Sequence, residues 1–281
     1  IMGEPLSPVD RNYDARLPKW KALAVHSADA LSSTAYATEE MLIPLIAFSA
    51  LASYWSGPLT LAIVGLIMVV LLACRRSIRH FPKGGATYTV AKEELGPTAG
   101  LFTAAALLID TVLTVAVSVA ASANNLVSAF SVLNPFPIAI ALLLIAFVMW
   151  INLRGVRQIS LFFALPVYGF LFLISAMIIV GWWRMGTGEH VAIEPLVREM
   201  YPVAPLFLLL RAFSSGSIAV TGLGAIPDHV ESFQPPIQKN AETTLKWLGF
   251  FLVFLFVGVT SLSIAHGLVP RETHETLISQ V

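Results

Sequence analysis

Charge is what this sequence has least of. Only 12% of its 281 residues are Asp, Glu, Lys or Arg, about half the roughly 25% of an ordinary soluble domain. Hydrophobic residues make up 57%. A water-soluble fold of this length has nowhere to bury so much apolar surface, and a disordered chain needs the opposite balance. The charges that remain cancel, with 17 Lys and Arg against 17 Asp and Glu. Net charge therefore directs the chain to no polyanion, and no nucleic-acid partner is expected. A single cysteine, Cys74, excludes a disulfide framework. The six histidines are scattered, with no His-x-x-His or Glu-x-x-His spacing, so neither a metal centre nor a metal-dependent enzyme is expected. The glycine-bearing stretch from Phe81 to Tyr88 lacks the spacing of a phosphate-binding loop.

What the chain has instead is long apolar runs. A bilayer core of roughly 30 Å takes about 20 apolar helical residues. Seven stretches qualify, at about 22–50, 58–74, 99–130, 136–152, 159–183, 203–226 and 243–268. The third is longer than a span needs, and the fourth follows a tight turn at Asn134-Pro135-Phe136-Pro137. With the N-terminus in the cytoplasm, thirteen of the 17 Lys and Arg fall on the inner side, including the cluster Arg75, Arg76, Arg79 and Lys83. Only Arg184, Arg198 and Arg271 fall outside, and Arg211 lies within a span. That bias predicts a multi-pass protein of the cell membrane with a cytoplasmic N-terminus. The organisation read from it is a cytoplasmic segment 1–21, five helices over 22–183, an outer loop 184–202, and two further helices over 203–281.

Two spans contain what lipid-facing helices avoid. The first carries Asp29, Ser32, Ser33, Thr34, Thr38, Glu39 and Glu40. Ser and Thr compete for backbone hydrogen bonds, and broken backbone is tolerated in a membrane only where it lines a protein cavity. The spacing predicts an unwound segment at Leu31–Ala35, through Ser32 and Ser33, with Asp29 just before it and Tyr36 just after. The sixth span holds Ser214, Ser215, Gly216, Ser217, Thr221, Gly222 and Gly224, and a second break is expected there, around Gly216 and Gly222. Interrupted first and sixth helices are the mark of a five-plus-five inverted repeat, whose substrate sits at the midplane gap between them.

The third span adds Asp110, Thr114, Ser118 and Ser122, four residues apart and so on one helix face. A carboxylate at the bilayer centre costs roughly 2.5–3.5 kcal/mol on insertion scales, which points to function. Arg211 reads as half of a structural ion pair.

At these residues the chain resembles the amino acid–polyamine–organocation superfamily of secondary transporters. Three passages carry the resemblance: Ser27-Ala28-Asp29-Ala30-Leu31-Ser32-Ser33 through Glu40; Phe81-Pro82-Lys83-Gly84-Gly85-Ala86-Thr87-Tyr88 with Glu94-Leu95-Gly96; and Arg211-Ala212-Phe213-Ser214-Ser215-Gly216 through Gly222. With Asp110 they resemble most closely the KimA-type potassium uptake permeases, relatives of the Kup transporters. The resemblance implies a LeuT-like all-α fold and proton-coupled potassium import without a cofactor. It implies ion contacts at Asp29, Tyr36, Asp110, Thr114, Ser118 and Thr221, all oxygen donors. Membrane lipid and a second copy of the chain are the expected partners, and an amino acid is the alternative substrate. Gly224 stands where the resembled pattern has a Glu, and Pro227-Asp228 where it has Ser-Asn. Asp228 and Glu231 are then the candidates for that carboxylate's part in proton coupling. The resembled fold has ten core helices, so seven are expected to be about half of a transporter.

Overall fold

A computed structural model describes residues 16–48, 55–81, 84–153, 156–187 and 206–266. The apolar runs are helices, because hydrocarbon offers the backbone no other partner. In chain order they are α1 (Lys19–Phe48), α2 (Ser56–His80), α3 (Ala86–Leu95), α4 (Pro97–Ala129), α5 (Pro137–Asn152), α6 (Val156–Gly186), α7 (Leu206–Gly216), α8 (Ala225–Asp228) and α9 (Ile237–Ala265). Short 3-10 turns occupy Ser131–Leu133, Ser217–Val220 and Val230–Ser232. Among the described residues no strand forms, only an isolated parallel bridge between Leu17 and Phe233. Among the described residues, four helices are long and apolar enough to cross a membrane: α2, α4, the Ser160–Gly186 part of α6, and α9. The protein is an all-α polytopic membrane protein: where described, six of the seven expected spans fall on single helices, α1, α2, α4, α5, α6 and α9, and the sixth holds α7 and α8. The outer loop expected at 184–202 lies mostly outside the described residues, as does most of 1–21.

Prolines open α4 and α5 at their first turns, where the missing N–H costs nothing. At 33 residues, α4 is about 50 Å long, more than a bilayer core needs. The turn before α5 is where the Asn134–Pro137 sequence places it.

The core is built around α1, which packs against α6, α7, α9 and the Ser217–Val220 turn. Ala22, Ala24, Ala30 and Ala37 are fully buried on it, beside Leu31, Met41, Leu42 and Leu45. Small residues at such contacts let helix backbones come close, which is the main attraction between helices in lipid. The long face of α9 from Leu248 to Leu262 is buried in the same cluster, and Gly258 meets α6 so closely that a Cβ there would lie 2.6 Å from Ile178 Cδ1. By contrast α4 and α5 stand to one side, and α4 reaches the core through α1.

The two expected breaks have different outcomes. The sixth span is interrupted: α7 ends at Gly216, a 3-10 turn follows, residues 221–224 form a non-helical turn, and α8 resumes at Ala225. The first span is not interrupted, and α1 runs unbroken from Lys19 to Phe48 through Ser32 and Ser33. The hydroxyls expected to unwind it instead fold back on their own helix. Ser32 Oγ donates to Asp29 O at 3.0 Å, Ser33 Oγ to Ala30 O at 2.8 Å and Thr34 Oγ1 to Leu31 O at 2.7 Å. Such back-bonding satisfies the hydroxyl without freeing the backbone.

Candidate ion site

The site forms where the break in the sixth span presses on α1. Thr221 turns the chain into an extended conformation (φ −60°, ψ 149°), and Gly222 follows at φ +75°, a left-handed value that favours glycine. A second constraint also selects glycine there. A Cβ at Gly222 would lie 2.8 Å from Asp29 Oδ2, 2.8 Å from Ala30 N and 3.2 Å from Ala30 Cα. The turn is therefore seated directly on the Asp29 carboxylate. From behind, α2 supports it: Cys74 Sγ lies 3.6 Å from Leu223 O.

Asp29 is half-buried, and its Oδ1 is buried with no hydrogen-bond partner among the described residues. An orphaned carboxylate oxygen in such a place is costly unless something positive completes it. Asp110 on α4 is close enough for its charge to act on Asp29. Neither aspartate forms an ion pair among the described residues, where the salt bridges found both belong to Glu242. Arg211, expected to pair, is exposed and makes no salt bridge there either.

Two turns further along α1, the Tyr36 side chain comes within interaction range of the Ser118 side chain of α4. Asp29 and Tyr36 are seven residues apart, and Asp110 and Ser118 are eight. The two helices therefore run parallel, with contacts about 10–12 Å apart along them. Thr114 lies on the same α4 face between Asp110 and Ser118, half-buried. Thr221 is half-buried beside Gly222, with its hydroxyl donating to Ile218 O at 2.8 Å.

The structure thus seats the Gly222 turn on Asp29, with Asp110 in electrostatic reach and Thr221 beside the turn, while Tyr36 and Ser118 meet about two helical turns further along, beyond Thr114. Ser32 and Ser33 are spent on their own helix. Gly216 is where the interruption begins, the last residue of α7, with its own backbone still helical (φ −68°, ψ −23°), and Ile63 and Met41 crowd it, at 2.6 and 3.0 Å from a would-be Cβ. Ser27 was overlooked in the sequence. It is fully buried, and among the described residues its Oγ is the other buried side-chain oxygen without a hydrogen-bond partner.

Asp228 also departs from expectation. Its carboxylate caps the start of α3, accepting from Thr87 N at 2.8 Å and Thr87 Oγ1 at 3.1 Å. Its backbone carbonyl accepts from Gly85 N at 2.7 Å, so close that a Cβ on Gly84 would lie 2.7 Å from it. The Gly84-Gly85-Ala86-Thr87 passage is therefore a dock for the far end of the interrupted span. Beside it His26 stacks on His229 at 4.9 Å, and His26 Nε2 lies 2.8 Å from Ser232 Oγ. Glu231 is exposed, away from the aspartate pair. Asp228 thus ties α3 to the break.

A profile of the family described as "Amino acid permease" matches residues 17–278. The chain belongs to that family. Every residue of the site lies inside the matched stretch, as does the Leu17–Phe233 bridge at its start. Among curated proteins, the Potassium transporter KimA of Bacillus subtilis (strain 168) is 39% identical over 283 residues, covering all of this chain and 46% of that protein. The chain thus spans just under half the length of the relative it matches. The permease family comprises transporters rather than enzymes.

Proposed function

We propose that this chain carries the ion-binding half of a secondary transporter that imports potassium together with protons. The cation sits between α1, α4 and the Gly222 turn. One observation carries this reading: Asp29 Oδ1 is buried without a partner, within electrostatic reach of Asp110, and among the described residues neither carboxylate forms a salt bridge with Lys or Arg. A weakly hydrated monovalent cation suits such a place, because oxygen ligands replace its water and its charge relieves two like charges at once. Tyr36, Ser118, Thr114 and Thr221 supply further oxygens at the rim. When the cation leaves, a proton on Asp29 or Asp110 removes the repulsion that would otherwise remain. The printed name of the Bacillus relative supports potassium as the cargo.

The family's description keeps an amino acid as the second reading. Its amine would take the place of the cation against Asp29. Growth decides between the two. The full-length gene, expressed in a strain unable to take up potassium, is expected to restore growth at limiting potassium. Rescue of an amino acid auxotroph instead, with no gain in potassium uptake, overturns the proposal.

A further inference from the structure

Away from the ion site, α2, α6 and α9 enclose an open groove of about 600 Å³ on the outside of the bundle. Its walls are apolar, with Leu71 and Leu72 on one side and Phe250, Val253 and Phe254 on the other. Trp182 closes one end, fixed by its Nε1 donating to Ser261 Oγ at 2.9 Å. The other end is charged. Arg75 and Glu242 line it together with Lys246, and Arg79 joins the same carboxylate, Nε to Oε1 at 2.7 Å. Lys246 is exposed and forms no salt bridge among the described residues. One carboxylate against three cations leaves that end net positive. The groove runs along α9 from Glu242 to Val257, about 22 Å by helical rise, which is longer than one leaflet of a core of roughly 30 Å.

We propose that this groove is a binding site for an anionic phospholipid. An acyl chain lies along Leu72, Phe250 and Phe254, and the phosphate meets Lys246 and Arg75. The loop charges put this end at the cytoplasmic leaflet, where anionic headgroups and basic residues attract one another. Apolar walls with a single basic end match one acyl chain under one phosphate. They do not match the interior of a helix bundle, which would leave Lys246 unpaired in hydrocarbon. The Arg75–Glu242 bond holds the guanidinium at the mouth of the groove, and Lys246 supplies the uncommitted charge.

The test is lipid retention by the purified protein in detergent, read by native mass spectrometry after incubation with equal amounts of phosphatidylglycerol and phosphatidylcholine bearing the same chains. Preferential retention of phosphatidylglycerol is expected. Lys246→Gln should weaken that preference about fivefold, the worth of one basic residue at an anionic surface. Lys239→Gln, a lysine on α9 outside the groove, should leave it unchanged. Val253→Trp, which fills the groove, should lower retention of both lipids. Equal retention of the two lipids by the unaltered protein overturns the proposal, as does a Lys246→Gln protein that behaves like it. A dimer that Val253→Trp dissociates also overturns it, by making a second copy the occupant.

Discussion

Gly222 and Asp29 fit against each other with no room to spare: a Cβ on the glycine would stand 2.8 Å from Asp29 Oδ2 and equally close to the backbone nitrogen of Ala30. The break in the sixth span and the carboxylate of the first are thus one structural unit. A movement of either is felt by the other, which is what a carrier needs if ion occupancy is to bias its conformation.

Gly222→Ala tests that unit. A left-handed conformation costs a non-glycine residue roughly 1–2 kcal/mol, and the neighbouring backbone of α1 cannot rotate away as a flexible side chain would. The variant should melt at a lower temperature and lose about tenfold or more of its uptake, because small misplacements at a binding constellation are expensive. Gly224→Ala is the control. Its Cβ would meet Asp228 Oδ2 at 3.6 Å and Thr87 Oγ1 at 3.7 Å, ordinary contacts, and its stability should change by no more than about 0.5 kcal/mol.

Neutralising the aspartates should separate stability from function. Asp29→Asn and Asp110→Asn each remove one of two neighbouring like charges that no Lys or Arg offsets. Thermal melting in the absence of potassium should therefore be unchanged or raised, while transport falls. A variant that unfolds would show instead that the pair holds the fold together.

Tyr36 and Ser118 bring hydroxyls from the two site helices within interaction range. Tyr36→Phe and Ser118→Ala each remove one side of that interaction, so the double variant should cost less than the sum of the two. A coupling of about 0.5–1.5 kcal/mol is expected for one such hydrogen bond, read from thermal melts of the four proteins. Additive effects would place the two hydroxyls apart.

Asp228 should behave as a cap and not as a proton carrier. Asp228→Ala removes both acceptors at the start of α3 and should cost about 1 kcal/mol. Hydrogen exchange at the Thr87 amide should accelerate in that variant. Asp228→Asn keeps an acceptor and should restore most of the protection. In both variants the dependence of uptake on external pH should persist. Its loss in Asp228→Asn would return the residue to the coupling mechanism.

The helical, membrane-spanning character of the chain and the place of the second break were legible in the sequence, for a physical reason. Apolar length and clustered Gly and Ser act locally, and the left-handed turn at Gly222 lies inside the cluster that announces it. The first break was misread because composition counts hydroxyls without showing where they point. Ser32, Ser33 and Thr34 each found a carbonyl three residues back, and the helix survived. Four-residue spacing placed Asp110, Thr114 and Ser118 on one face, yet nothing in the sequence says that Tyr36 is what Ser118 meets. Asp228 had a legible hint that was passed over. The third helix begins at Gly85-Ala86-Thr87 with no capping side chain of its own, so its cap had to come from elsewhere in the chain.

The central claim is that Asp29 completes its coordination with a transported cation. Rubidium uptake into vesicles reconstituted with the full-length protein, with and without an inward proton gradient, tests it most directly. The account predicts saturable uptake that the gradient accelerates and potassium competes away, and none above background for Asp29→Asn. Undiminished rubidium uptake by Asp29→Asn would contradict it.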